Sequence, residues 1–202
     1  MHLEVLVEES SAEAALGNLL PKIVGREVTH SIHPHQGKSD LLDKLPSRLR
    51  GYENWLPADW RIVVLVDQDR SGCREIKGRL ERAAAQAGLV TKSTRLPSFQ
   101  VLNRLAVEEL EAWFFGDVEA IVQAYPGVPP ILGQKARYRD PDAIAGGTWE
   151  ALERVLQRAG YFRNGLRKIE AARAISAHMA PERNRSRSFR VFRDALREIA
   201  QP

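Results

Sequence analysis

The stretch "IVVLVDQDRSG", Ile62 to Gly72, decides how the chain is read. Its first five residues are apolar and mostly β-branched. That is the composition of a strand buried on both faces, and such strands belong to parallel sheets covered by helices. The end of the run is costly. Asp67 and Asp69 alternate with Gln68, so in an extended chain both carboxylates face one way. Like charges held together raise one another's pKa unless a cation neutralises them. A hard divalent cation, which takes oxygen ligands, is the economical explanation.

Working outward, strand and helix signals alternate through the first half. Residues 3–7 form a short apolar run interrupted by Glu4, and 11–20 place Ala12, Ala15, Leu16, Leu19 and Leu20 at helical spacing. A second strand is expected over 27–33 and a second helix over 39–49, despite Pro46. The strand at 61–66 leads to a helix over 74–87 closed by Gly88, then to a fourth strand over 89–96. This alternation predicts an α/β fold, a parallel sheet core flanked by helices with a helical C-terminal extension. The spacing predicts a helix over 105–115, a linker or surface loop over 125–141, and helices over 148–159, 165–179 and 188–200. The division that follows is a core of 1–118 and an extension of 119–202 packed on it.

In an open parallel sheet, ligands bind outside the carboxyl ends of the strands. "VEES", with Glu8 and Glu9, ends the first strand and the Asp-x-Asp run ends the third, so both acidic clusters belong on one edge. A further acidic source is "VEELEAW". On a helix with Ala106, Leu110, Trp113 and Phe114 buried, Glu109 and Glu111 border the buried face while Glu108 points outward. Each acid has a structural reading as well. Glu9 and Asp69 suit helix N-termini, and glutamates on a helix are ordinarily solvated.

The chain has 202 residues, 44% hydrophobic and 28% charged, ordinary values for a globular domain able to build a core. No apolar run approaches the roughly 20 residues of a membrane span, and the start "MHLE" lacks signal-peptide character, so a cytoplasmic location is expected. The single cysteine, Cys73, excludes an internal disulfide and reads as a packing residue. The net charge is only +4, but six arginines fall between positions 183 and 197. Arg190, Arg193 and Arg197 lie three and four apart, opposite Phe189, Phe192, Leu196 and Ile199. Such a stripe fits either contact with a nucleic-acid backbone or a solvated amphipathic face. "HQGKS" lacks the first glycine of a Walker loop, with Ile32 in its place, which excludes an ATPase of that type. Lys38 remains a phosphate contact or a surface lysine. Arg70 either neutralises a phosphate oxygen or pairs with Glu75. His30, His33 and His35 alternate along a strand end without the company a zinc site needs.

At these residues the sequence resembles the Toprim superfamily, whose members carry a glutamate ending the first strand and Asp-x-Asp ending the third. Glu8 in "VLVEES" and Asp67 with Asp69 in "LVDQDRSG" match those positions. "VEELEAWFFGD" looks like the extra acidic helix of the nuclease branch. Together with "RSRSFRVFRDAL" it is similar to the uncharacterised domain-of-unknown-function family 4276. The resemblance implies Mg2+ or Mn2+ and phosphodiester hydrolysis. Glu8 would be a metal ligand or general base, Asp67 and Asp69 metal ligands, Glu111 a ligand for a second ion, and Glu109 its reserve. It also implies a nucleic-acid substrate and an ATPase partner of the phage-defence kind. Glu9 stands where many relatives have glycine, which narrows the site. A catalytically silent adaptor subunit and a nucleotide phosphohydrolase are the alternative readings.

Overall fold

The computed structural model describes residues 1–68, 72–94 and 98–200. Four parallel strands, β1 (His2–Val7), β2 (Thr29–Pro34), β3 (Trp60–Asp67) and β4 (Val101–Ala106), lie in the order β2-β1-β3-β4. Helices α1 (Ser10–Val24), α2 (Lys38–Glu53) and α3 (Cys73–Gln86) follow the first three strands. Beyond β4 come α4 (Glu111–Gly116), α5 (Val118–Ala124), α6 (Thr148–Arg158), α7 (Lys168–His178) and α8 (Arg187–Ala200). The architecture is the expected one, a parallel sheet flanked by helices with further helices toward the C-terminus.

The alternation of side chains along β3 divides the core. Val63 and Leu65 join the cluster built by α1 and α4 to α8, whereas Ile62, Val64 and Val66 join α2 and α3 on the other face. Asp67 has the parity of Val63 and Leu65, so the strand directs it toward the layer that contains α1 and α7.

The heavier layer is fastened by aromatic and polar contacts. Trp113 meets Phe189 edge-on at 5.2 Å and Phe192 at 5.0 Å, and its Nε1–H donates to Ser188 Oγ at 2.9 Å. A Cβ on Gly116 would come within 2.1 Å of Asn184 Oδ1, and Asn184 is anchored through its amide to the Trp113 carbonyl. Glycine is therefore required by close approach. Asp117, almost wholly buried, accepts from the Ala120 and Ala180 N–H groups and from Arg183, tying α5 to the end of α7.

Several expectations are corrected. The fourth strand runs from Val101 to Ala106; of the expected span 89–96, Thr91 makes a single bridge to Val101, Lys92–Thr94 coil into a 3-10 turn, and residues 95 and 96 lie outside the described residues. The expected helix over 105–115 shortens to α4, because β4 is buried on both faces. Its apolar residues at 101, 102, 105 and 106 imitate helical spacing. The segment 125–141 is no linker, since Tyr125, Val128, Leu132 and Tyr138 are buried, and Tyr138 stacks on Phe115. Cys73, expected in the packing, is exposed at the start of α3.

Glu4 explains its interruption of β1. Its carboxylate accepts the Tyr52 hydroxyl at 2.8 Å and is bonded to His33 Nε2 at 2.5 Å and His2 Nε2 at 3.2 Å. Burial pushes its pKa up, but the Tyr52 and His33 hydrogen bonds and the charges of His33 and His2 outweigh burial and hold it below 4.5. A carboxyl depressed in the folded state adds stability above its unfolded pKa and loses it as pH falls through the folded value. Glu4→Gln is therefore expected to cost about 1–3 kcal/mol at neutral pH, with the deficit shrinking below about pH 4. Urea unfolding of both proteins across that range checks this; a deficit that persists undiminished well below about pH 4 contradicts it.

Candidate functional site

The carboxyl edge of the sheet gathers the acids. Glu8 follows β1 directly, and its Oε1 accepts the Asp67 backbone N–H at 2.8 Å, fastening the ends of β1 and β3 together. The Glu8 carbonyl in turn accepts the Gly37 N–H at 2.8 Å, which brings the turn before Lys38, the first residue of α2, to the same edge. Beyond β4 the chain reverses through Glu108, whose φ of 61° is the left-handed region that non-glycine residues avoid. That turn delivers Glu109 and Glu111 beside the other acids. Glu109 is held in place by the next layer. Its Oε2 accepts the N–H groups of Thr148 and Trp149, each at 2.9 Å, and the Thr148 hydroxyl at 2.7 Å, so it caps α6.

Sequence reasoning missed Lys168, the first residue of α7. Its Nζ lies 3.6 Å from Glu9 Oε1 and 5.2 Å from the centre of the Trp149 ring. Burial by itself lowers a lysine, but the carboxylates of Glu111, Glu9, Glu109 and Asp67 outweigh it and hold this ammonium above the ordinary 10.5. A cation at a helix N-terminus is opposed by the helix dipole. The acids supply the compensation. α7 is itself fixed against α1, where Lys22 Nζ donates to the carbonyls of Ser176, Ala177 and Met179, and Asn18 Nδ2 donates to Arg173 O and Ser176 Oγ.

Glu111 is 3% exposed. Burial pushes its carboxyl up to about 7, with Lys168 pulling it down and Glu109 and Glu9 pushing it further up. Glu9 accepts the Ser11 hydroxyl at 2.7 Å as well as facing Lys168.

The donor chemistry fits a hard divalent cation, since the gathered side chains are carboxylates and carry more charge than Lys168 returns. Among the described residues, no three acidic, histidine or cysteine side chains are grouped tightly enough to hold an ion. Asp69 and Arg70, both expected at this site, lie outside the described residues.

The arginine stripe is divided. Arg190 is exposed, whereas Arg193 pairs with Asp194 and donates to the Pro181 carbonyl, and Arg197 pairs with Glu182. Arg193 is only 12% exposed along its side chain, which leaves little of it for a ligand. His33 is engaged by Glu4, and His35 Nδ1 lies 2.9 Å from the Val7 carbonyl. No helix among the described residues is long and apolar enough to cross a membrane.

Comparison with curated proteins and with solved structures found no match. A family model described as a domain of unknown function, DUF4276, matches residues 7–197, nearly the whole chain and every acid of the carboxyl edge. The chain belongs to the DUF4276 family.

Proposed function

We propose that the chain is a divalent-metal-dependent phosphodiesterase acting on nucleic acid, with a Toprim-like centre at the carboxyl edge of its sheet. The observation that carries this reading is the convergence of carboxylates from β1, β3 and the turn after β4 on the Lys168 ammonium. The position is where an open parallel sheet binds its ligands. Surplus carboxylate charge there is a standing electrostatic cost, which a cation and a phosphate together relieve.

Glu8 and Asp67, with Asp69 beside them in sequence, would hold Mg2+ or Mn2+, and Glu111 would serve a second ion. Such ions supply charge for the phosphoryl oxygens and a more acidic water. Magnesium is commonly bound by one or two carboxylates together with substrate phosphate, so a loose arrangement of acids in the protein alone suits it. Lys168 Nζ supplies fixed positive charge for a phosphate oxygen. Lys38 and Arg190 remain candidates for contact with the polynucleotide backbone. The proposal is made for the chain by itself, without the ATPase partner and phage-defence setting that the resemblance implies.

The test is cleavage of labelled single- and double-stranded DNA and RNA with magnesium or manganese, repeated with excess chelator. Cleavage that chelator stops is the expected result; absence of cleavage with every substrate and both metals overturns the proposal. Lys168→Met is expected to slow cleavage roughly 100-fold, the scale for removing one donor that stabilises developing negative charge. An unchanged rate in that variant removes Lys168 from the mechanism.

A further inference from the structure

The two edges of the sheet are finished differently. On β2 the N–H groups of Thr29 and His35 reach the Met1 and Val7 carbonyls, so odd-numbered residues face β1 and even-numbered ones face out. The last outward position is Pro34, which has no N–H to offer, and a proline there blunts an edge. On β4 the pairing runs through even-numbered residues, since the Ile62 and Gln68 N–H groups donate to the Gln100 and Ala106 carbonyls. Val101, Asn103, Leu105 and Val107 therefore turn their backbone groups away from β3.

The chain covers only the start of this edge. Val101 N–H donates to the Val90 carbonyl at 3.0 Å and Val101 bridges to Thr91, but the segment then leaves the sheet, because Thr94 N–H turns back to the Thr91 carbonyl at 3.1 Å. Asn103 is buried, and its carbonyl accepts Arg104 Nη1 at 2.9 Å. Among the described residues, nothing bonds the N–H and carbonyl of Leu105 or the N–H of Val107, and both residues are only half-buried. An edge left open in this way is a template for another strand.

Leu105 and Val107 line a cleft of about 490 Å³, with Lys77 of α3 on one side and Arg187 and Val191 of α8 on the other. Leu105 packs with the layer of α2 and α3, whereas Leu102 and Ala106, of the opposite parity, belong to the layer of α8. The two walls thus stand on opposite faces of the sheet with the strand edge between them. An added strand fits that shape, because its backbone pairs with the edge while its alternate side chains turn to one wall and the other. Val191, 49% exposed, offers apolar surface on the α8 side. Lys77 and Arg187 are exposed and meet no carboxylate among the described residues. The charge of Asp142 is already engaged by the Arg187 and Ser188 N–H groups, and Asp140 accepts the Asp142 N–H. We propose that the β4 edge docks an extended segment of a partner protein as an added strand, apolar at alternate positions and carrying acidic side chains. A second copy of the chain is disfavoured, since β4 against β4 would bring the Lys77 and Arg187 cations of both copies together.

The test selects random phage-displayed peptides on the full chain, then titrates a synthetic, fluorescein-labelled member of the enriched set by anisotropy. Enriched peptides are expected to alternate apolar residues with positions that carry Asp or Glu. N-methylation of one alternate set of backbone nitrogens in the labelled peptide is expected to weaken binding roughly tenfold, and of the other set hardly at all, the signature of pairing along one edge. Leu105→Pro removes an outward N–H and no bond to β3, and Lys77→Glu combined with Arg187→Glu reverses both charges at the rim. Each variant is expected to weaken binding on the same scale, with thermal melting to verify the fold; should Leu105→Pro not fold, the charge-reversed protein and the methylated peptides carry the test. Failure to enrich any peptide, affinity unchanged by charge reversal, or equal tolerance of both methylated sets overturns the inference. A concentration-dependent dimer that the charge reversal alters would assign the edge to a second copy, and oligonucleotide binding weakened by the same variants, with no peptide selected, would assign the cleft to nucleic acid; either overturns it. None of these readouts needs cleavage, so their failure leaves the phosphodiesterase reading to its own test.

Discussion

Asp67→Asn is expected to reduce metal-dependent cleavage by about a thousandfold or more while leaving the fold intact. The asparagine keeps the size of the side chain and removes its negative charge. The link that binds the end of β3 to β1 runs from the Asp67 backbone N–H to Glu8, so the substitution does not touch it. Asp67 is half-buried at the open end of a strand whose preceding five residues are fully packed. In the proposed role, that charge would hold metal, and its loss would remove stabilisation of both the attacking and leaving oxygens, a larger loss than that of one hydrogen-bond donor. Cleavage rate, magnesium titration calorimetry and melting temperature are the three readouts. Full activity in a folded variant contradicts the proposed role, and equal loss of activity and stability would make Asp67 a structural residue.

Asp117→Ala is expected to produce the largest loss of stability, about 3–5 kcal/mol, because it removes the buried carboxylate on which a whole network converges. Two backbone N–H groups, from Ala120 and Ala180, lose their acceptor, and Arg183 loses a partner that meets it at 2.7 and 3.1 Å. For a chain of this size the melting temperature should fall by roughly 10 °C. Arg183→Met should cost much less, since Arg183 is 37% exposed and Asp117 retains its two backbone donors. Thermal melts of the two variants side by side distinguish this asymmetry from a simple surface ion pair, for which both losses would be small and alike.

Residues close in sequence made the first half of the chain legible. β1 and β3 announced themselves by apolar runs, and the acids at their ends could be assigned to one edge because parallel strands share direction. β4 was misplaced for a physical reason: burial on both faces removes alternation, and Leu105 and Ala106 then merge with the spacing of Leu110 and Trp113. The acids after β4, expected on the flank of a long helix, are presented instead by a turn and the first residue of α4. Lys168 had no local signature. "RKIEAARAI" has the look of a solvated helix start, and only the packing of α7 on α1 turns its first lysine toward Glu9 and Glu111. The pairing of Arg193 and Arg197 was hidden for the same reason, since Glu182 lies in a turn whose path depends on Asp117 and Asn184.

The placement of Lys168 also sets an order of assembly. Glu8 and Asp67 leave the ribosome early, and the segment able to fold around them first contains the sheet and its acids. The ammonium that compensates Asp67, Glu9, Glu109 and Glu111 arrives only after α7 has been synthesised and has docked along α1, across one of the longest sequence separations in the molecule. Contacts of that kind form late because the loop they close is expensive in entropy. Until then, the nascent chain carries an unbalanced acidic edge. The charge balance of the acidic edge is thus completed only when the last third of the chain is in place.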